Sequence, residues 1–106
     1  MTLILDTASQ PLKAAISVPG SKSIANRALM CAALAEGTTT LSNLASGDDT
    51  AAMIECLRAL HIDINVEGTT ATIVGSAGRP QGGAELNARL AGTTSRFMTA
   101  LAALSA

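Results

Sequence analysis

The stretch Pro19-Gly20-Ser21-Lys22-Ser23-Ile24-Ala25-Asn26-Arg27 decides how the rest of the chain is read. Before it, residues 12–18 alternate loosely, with Leu12, Ala14, Ile16 and Val18 on one side, which suits a half-buried strand. Pro19 and Gly20 end that pattern. After it, Ile24, Ala28, Leu29, Ala32 and Leu34 recur at helical spacing, so a helix is expected over about 21–35 with Gly37 as its stop. A strand therefore feeds through a glycine turn into a helix. The free amides of a helix start point outward, at the positive end of the dipole. Lys22 adds a mobile point charge and Ser23 a hydroxyl. Arg27 lies one turn beyond Ser23 on the same face. Arginine forks onto two oxygens, whereas lysine swings between ligands. These residues have the chemistry to hold a phosphate with a second anion beside it. The segment is not a nucleotide P-loop, because Ser21 stands where that motif needs glycine before its Lys. On the motif alone, a Ser-capped helix with two solvated basic residues is the simpler account.

Working outward, residues 2–6 read as a short strand and Pro11 breaks any continuation. Residues 38–44 are Thr-rich and β-prone. Ser46-Gly47-Asp48-Asp49 reads as a turn and a capped helix start. A second helix is expected over about 49–60, burying Met53, Cys56, Leu57 and Leu60. Strands follow at 62–66 and 70–74, joined by a hairpin turn at Glu67-Gly68-Thr69. Residues 75–84 are rich in glycine and read as a loop. A short strand is expected around 84–90, then Gly92-Thr93-Thr94-Ser95 opens a helix from Arg96 to Ala106. The order is β-α-β-α-β-β, an α+β class, with a second round opening near Ala84. Three helix starts look alike, at Gly20, Gly47 and Gly92, although such caps are common before any helix.

With 106 residues the chain is one domain at most. Its 48% hydrophobic and 14% charged content excludes a disordered chain. The single aromatic, Phe97, and the net charge of −1 exclude an ordinary nucleic-acid binder. Cys31 and Cys56 fall in apolar helical patterns and are expected as buried free thiols in a reducing compartment. Two cysteines and His61 are too few for a zinc cage. No signal peptide or membrane span is visible, so a cytoplasmic location is expected.

Gly92 permits close backbone approach, and Thr93, Thr94 and Ser95 can donate to oxygens at a helix start, although a capped helix with an exposed Arg96 is the plainer reading. Asp48 and Asp49 read as capping groups rather than an acid/base pair. His61 reads as a polar helix end. Glu55, Arg58, Glu67, Glu85 and Arg89 read as solvated positions. The apolar run Phe97–Leu104 has no strand after it to cover it. It is expected to need further chain or partner surface, as in the front piece of a larger protein.

Pro19–Ser23 followed by Asn26-Arg27-Ala28-Leu29 resembles the opening signature of the EPSP synthase family. Ala32–Thr39, Ser46–Thr50, and Ala91-Gly92-Thr93 with Arg96 resemble the same family in the same order. The match runs from about Pro11 to the end, over the opening part of the family's chain. The family commonly has Asn where this sequence has Leu90, and the Leu90–Thr93 form looks like its actinobacterial branch. The resemblance implies a fold of β-α-β-α-β-β units, here about one and a half of them. Residues 1–11 would be a crossover strand, 12–75 the first unit and 84–106 the start of the second. It implies transfer of the enolpyruvyl group of phosphoenolpyruvate to the 5-hydroxyl of shikimate 3-phosphate, releasing phosphate, with no metal or organic cofactor. This is a shikimate-pathway step towards the aromatic amino acids, at which glyphosate competes. By resemblance, Lys22 touches both substrates and is catalytic, and Ser23 and Arg27 hold shikimate 3-phosphate. Gly92 and Thr93 line the phosphoenolpyruvate side, with Arg96 near them. The family's catalytic carboxylates lie later in its chain, so these residues alone are expected to be inactive and to need the remainder of the enzyme as partner. Two other readings fit less well. One is the sister transferase acting on UDP-N-acetylglucosamine, expected to open on a different Lys motif. The other is an anion-binding module without chemistry.

Overall fold

Ser21 starts the first helix with backbone in the extended region, and its Oγ accepts from the Ile24 amide at 3.4 Å. The computed structural model describes residues 2–105. Met1 and Ala106, the outer ends of the opening segment and final helix expected above, lie outside the described residues. Six elements follow in order: α1 (Lys22–Leu34), β1 (Thr38–Leu41), α2 (Asp48–Ala59), β2 (Asp63–Glu67), β3 (Thr70–Val74) and α3 (Gly92–Ala102). The described residues form an α+β arrangement of one three-stranded sheet and three helices.

The sheet order is β1-β3-β2, and both outer strands run antiparallel to β3. The β2–β3 hairpin turns at Gly68, whose φ of +58° suits glycine. Period-two alternation sends Ile64, Ala71 and Ile73 to one face, where they are buried. Thr40, Asn65 and Thr72 share the other face. α1 covers β1 and β3, α2 covers β2, and α3 lies against α1 and α2 rather than the sheet. Leu29, Met53, Leu57, Ile73 and Leu101 are fully buried at the centre.

The buried stripe of α2 includes all four expected residues: Met53, Cys56, Leu57 and Leu60. That of α1 is shifted from expectation. Ala25, Asn26, Leu29, Ala32 and Ala33 face inward, and Ile24 is exposed. Small side chains win this face because α1 lies close to the backbone after β3. A Cβ on Gly75 would collide with the Ala35 and Ala32 carbonyl oxygens. This approach lets residues 76–78 bond the last carbonyls of α1. The Ser76 amide and Oγ donate to Ala33 O at 2.8 and 2.7 Å, and the Ala77 and Gly78 amides donate to Ala35 O and Leu34 O at 2.9 Å. Those carbonyls have no partner inside the helix.

Other expectations are corrected. Cys31 is exposed rather than buried, since it lies nearly opposite Leu29 around α1. Residues 2–6, 12–18 and 84–90 contain no strand. Alternation makes a segment fit to pair, but a strand forms only against a neighbour that completes its hydrogen bonds. Residues 2–19 are exposed throughout, including Leu3, Ile4, Leu5, Leu12, Ile16 and Val18. The accessible surface is accordingly 7,425 Å², against roughly 5,500 Å² for a compact chain of this mass. No helix among the described residues is long and apolar enough to cross a membrane.

Candidate functional site

The three helix starts that look alike in sequence meet in space. Lys22 is the first residue of α1, and its Nζ donates to Asp49 Oδ2 in the first turn of α2 at 3.0 Å. Thr94, in the first turn of α3, donates from its buried Oγ1 to the Asp49 carbonyl at 3.3 Å. One turn further along, the Arg27 guanidinium of α1 lies over the Phe97 ring of α3, 5.9 Å from its centroid. First turn meets first turn in all three helices, and second meets second between α1 and α3, so those two run in the same direction. Their positive ends share one end of the domain.

The free amides add to this. In α3 the first intrahelical bond runs from the Ser95 amide to Ala91 O, which leaves the amides of Gly92, Thr93 and Thr94 ahead of it. Gly92 is exposed, and a Cβ there would meet nothing within 4 Å. A ligand can therefore approach the backbone closely. Thr93 beside it is half-buried. Ser23 is exposed, and its carbonyl accepts from Arg27 Nη1 at 3.0 Å, which ties the arginine stem along α1. Arg96 is exposed on α3 and makes none of the bonds that join the helices among the described residues. The site is an open face, not a cavity. A cleft of about 460 Å³ lies beside it, lined by Gly20, Ser21, Ile24 and residues of 40–44, without Lys22, Ser23 or Arg27.

Two sequence readings change here. Asp48 and Asp49 do not cap α2. The cap is Gly47, at φ +148°, with no side-chain cap bond, because both aspartates already belong to the first turn. Their carboxylates turn instead to cations on neighbouring segments, Asp49 to Lys22 and Asp48 to Arg89. Arg89, Glu55 and Arg58 are not merely solvated. Arg89 bonds Asp48 Oδ1 at 3.1 Å and Glu55 Oε1 at 2.8 Å. Arg58 donates twice to Ile64 O, from Nε at 3.3 Å and Nη2 at 2.8 Å. His61 does end α2: it takes a left-handed φ of +61°, and its amide donates to Arg58 O.

Asp49, read in sequence as a cap, and Thr94, read as a helix-start donor, are the residues that join the three starts. The one sequence signal for this joining was the likeness of the three helix starts, which meet at Asp49. Electrostatically the face carries Lys22, Arg27 and three helix ends, set against Asp48 and Asp49. Such groups have the chemistry to accept anionic oxygens at two adjacent points. No cluster of three metal-ligating side chains exists among the described residues.

Comparison with known proteins identifies relatives of this chain. The family model of EPSP synthase (3-phosphoshikimate 1-carboxyvinyltransferase) matches residues 7–106. A protein of that name from Nostoc sp. is 42% identical over 106 residues, covering 97% of this chain and 25% of the relative. One from Rhizobium leguminosarum is 45% identical over 96 residues, covering 90% and 23%. The solved EPSP synthase of Acinetobacter baumannii superposes with a TM-score of 0.73 at 28% identity, over 81% of this chain and 20% of that one. The chain spans about a quarter of the length of the curated relatives it matches.

Proposed function

This chain belongs to the EPSP synthase family, and from that premise we propose that it forms the cationic side of a 3-phosphoshikimate 1-carboxyvinyltransferase site. The reaction moves the enolpyruvyl group of phosphoenolpyruvate onto the 5-hydroxyl of shikimate 3-phosphate and releases phosphate. Both substrates are polyanions that repel each other, so much of the catalytic task is to hold them in contact. Fixed positive groups that need no reorganisation supply that.

The roles are those that the family resemblance implies. Ser23 and Arg27 on α1 hold shikimate 3-phosphate. Gly92 and Thr93 at the start of α3 hold phosphoenolpyruvate with their amides. Lys22 stands between the helices and is the catalytic cation touching both, released from Asp49 as the substrates arrive. Arg96 supports the phosphoenolpyruvate side. Proton transfers to the enol carbon and from the hydroxyl need carboxylates that these residues do not supply, so the remainder of a transferase chain is the partner. No cofactor enters the scheme. Residues 12–75 act as one unit and 84–106 as the start of a second, with 1–11 as a crossover. A cytoplasmic setting follows from the substrates. The actinobacterial-like branch rests on Leu90-Ala91-Gly92-Thr93 alone, since the relatives described above are cyanobacterial and proteobacterial.

The observation that carries the proposal is the meeting of three helix starts at Asp49. Its test is an amide NMR titration with shikimate 3-phosphate and with phosphoenolpyruvate, repeated on Lys22→Ala. Saturable shifts at residues 21–27 for the first ligand and at 92–94 for the second are expected, both weakened by the substitution. Phosphate release from the two substrates by this chain alone is expected to be undetectable. Shifts that ignore both ligands would overturn the binding roles.

A further inference from the structure

Arg89 sits three residues before Gly92 in a backbone conformation that L residues seldom adopt, at φ +53°. Its guanidinium spans two carboxylates one helical stretch apart on α2, Asp48 at 3.1 Å and Glu55 at 2.8 Å. The segment that carries it is fastened at further points. The Asn87 Oδ1 accepts from the Arg89 amide at 2.9 Å, and Asn87 O accepts from Cys56 Sγ at 3.5 Å. The Ala91 amide closes a turn on Ala88 O at 3.0 Å, and Ala91 is buried. Exposed ion pairs of this kind add little to global stability. A strained backbone held by two carboxylates serves orientation instead.

We propose that Arg89 is a positioning residue, a clasp that fixes the first turn of α3 against the first turn of α2 and so aims the Gly92 and Thr93 amides at the anion face. The argument has two parts. The turn at 88–91 is the hinge into α3, and Arg89 is its long lever onto α2. The clasp also engages Asp48, which would otherwise add an unpaired negative charge in the first turn of α2, next to the face where anions bind. The second part rests on the anion-binding reading given under Proposed function. The first part does not.

Arg89→Gly separates orientation from folding, since glycine relieves the left-handed backbone while removing the clasp. Arg89→Lys keeps the charge but cannot fork onto both carboxylates. Two measurements decide. Amide hydrogen exchange in the free chain reads the clasp itself: in Arg89→Gly, protection of Ala91 and Ser95 is expected to fall about tenfold, with β3 and the middle of α1 unchanged. Unaltered exchange at Ala91 and Ser95 overturns the clasp. Titration with inorganic phosphate, followed at the Gly92 and Thr93 amides, reads its use. Binding there is expected to weaken about tenfold in Arg89→Gly and by less in Arg89→Lys, while shifts at residues 21–23 change little. Equal affinity in all three proteins overturns the positioning role. If the unsubstituted chain shows no saturable phosphate shift at any helix start, the anion-binding reading fails and the aiming role falls with it, while the exchange result still decides the clasp.

Discussion

Lys22 Nζ lies 3.0 Å from Asp49 Oδ2, so the first turn of α1 is bonded to the first turn of α2 by the residue proposed to meet both substrates. The lysine side chain is 69% exposed and the aspartate 32%. A pair this open is easily broken by a competing anion.

Asp49→Asn is therefore expected to free Lys22 rather than to harm it. An exposed pair contributes about 0.2–1 kcal/mol, so affinity for inorganic phosphate should rise by up to about fivefold. Isothermal calorimetry at low salt measures it. The thermal midpoint should fall only slightly, as α2 also loses a favourable charge at its start. Weaker binding in Asp49→Asn would mean that the carboxylate orients the lysine instead of occupying it.

Gly75 and Gly92 are expected to respond oppositely to alanine. At Gly75 the added Cβ collides with backbone oxygens of α1, which cannot swing aside. Overpacking of this kind costs about 1–3 kcal/mol, here at the upper end. At Gly92 the Cβ meets nothing, and alanine is the better helix former by up to about 1 kcal/mol. Urea denaturation should show Gly75→Ala destabilised and Gly92→Ala unchanged or improved. The second variant should nevertheless bind phosphoenolpyruvate less tightly, because the new methyl stands where the ligand approaches.

The two thiols should differ in reactivity. Cys31 is exposed, whereas Cys56 is buried and its pKa is raised above the ordinary thiol value, first by desolvation and then by Glu55, partly offset by Asn87 O and Arg89. Iodoacetamide should modify Cys31 alone in the folded chain and both cysteines in denaturant. The sign for stability follows from the raised value. The folded state keeps its proton where the unfolded state loses it, so the contribution is intact below the unfolded pKa and is lost as pH rises through the folded one. Stability measured by denaturation should therefore decline above about pH 8.5, and Cys56→Ala should flatten that decline.

Phe97 is the chain's one aromatic residue, and it faces Arg27. A cation–π contact at an exposed site contributes about 0.5–1 kcal/mol. A double-mutant cycle with Phe97→Leu and Arg27→Ala should return a coupling of that size. A coupling of zero would leave Arg27 steered only by its bond to Ser23 O.

How far the sequence could be read depended on which interactions were local. The helices were legible because caps and apolar spacing lie within a few residues, as Ser21 and the stripe Met53–Leu60 show. The β2–β3 hairpin was legible for the same reason. Residues 12–18 alternate just as well, yet they contain no strand, because alternation does not reveal whether a neighbouring strand is there to pair. Ile24 and Cys31 were misplaced for a different reason: α1 turns its alanines inward to come close to Gly75, a contact 40 or more residues away in sequence. At the site, Lys22 and Gly92 could be picked out from their motifs. Asp49 could not, since an aspartate at a helix start has an adequate local explanation, and its partners lie on α1 and α3.

The uncovered run of Leu3, Ile4, Leu5, Leu12, Ile16 and Val18 has a consequence for every solution experiment on this chain. Apolar surface in water seeks more of its kind, and the nearest source is another copy. Protein concentration then becomes a thermodynamic variable in its own right. Melting temperatures, NMR linewidths and ligand isotherms are expected to drift with it through mass action, and a dilution series checks this.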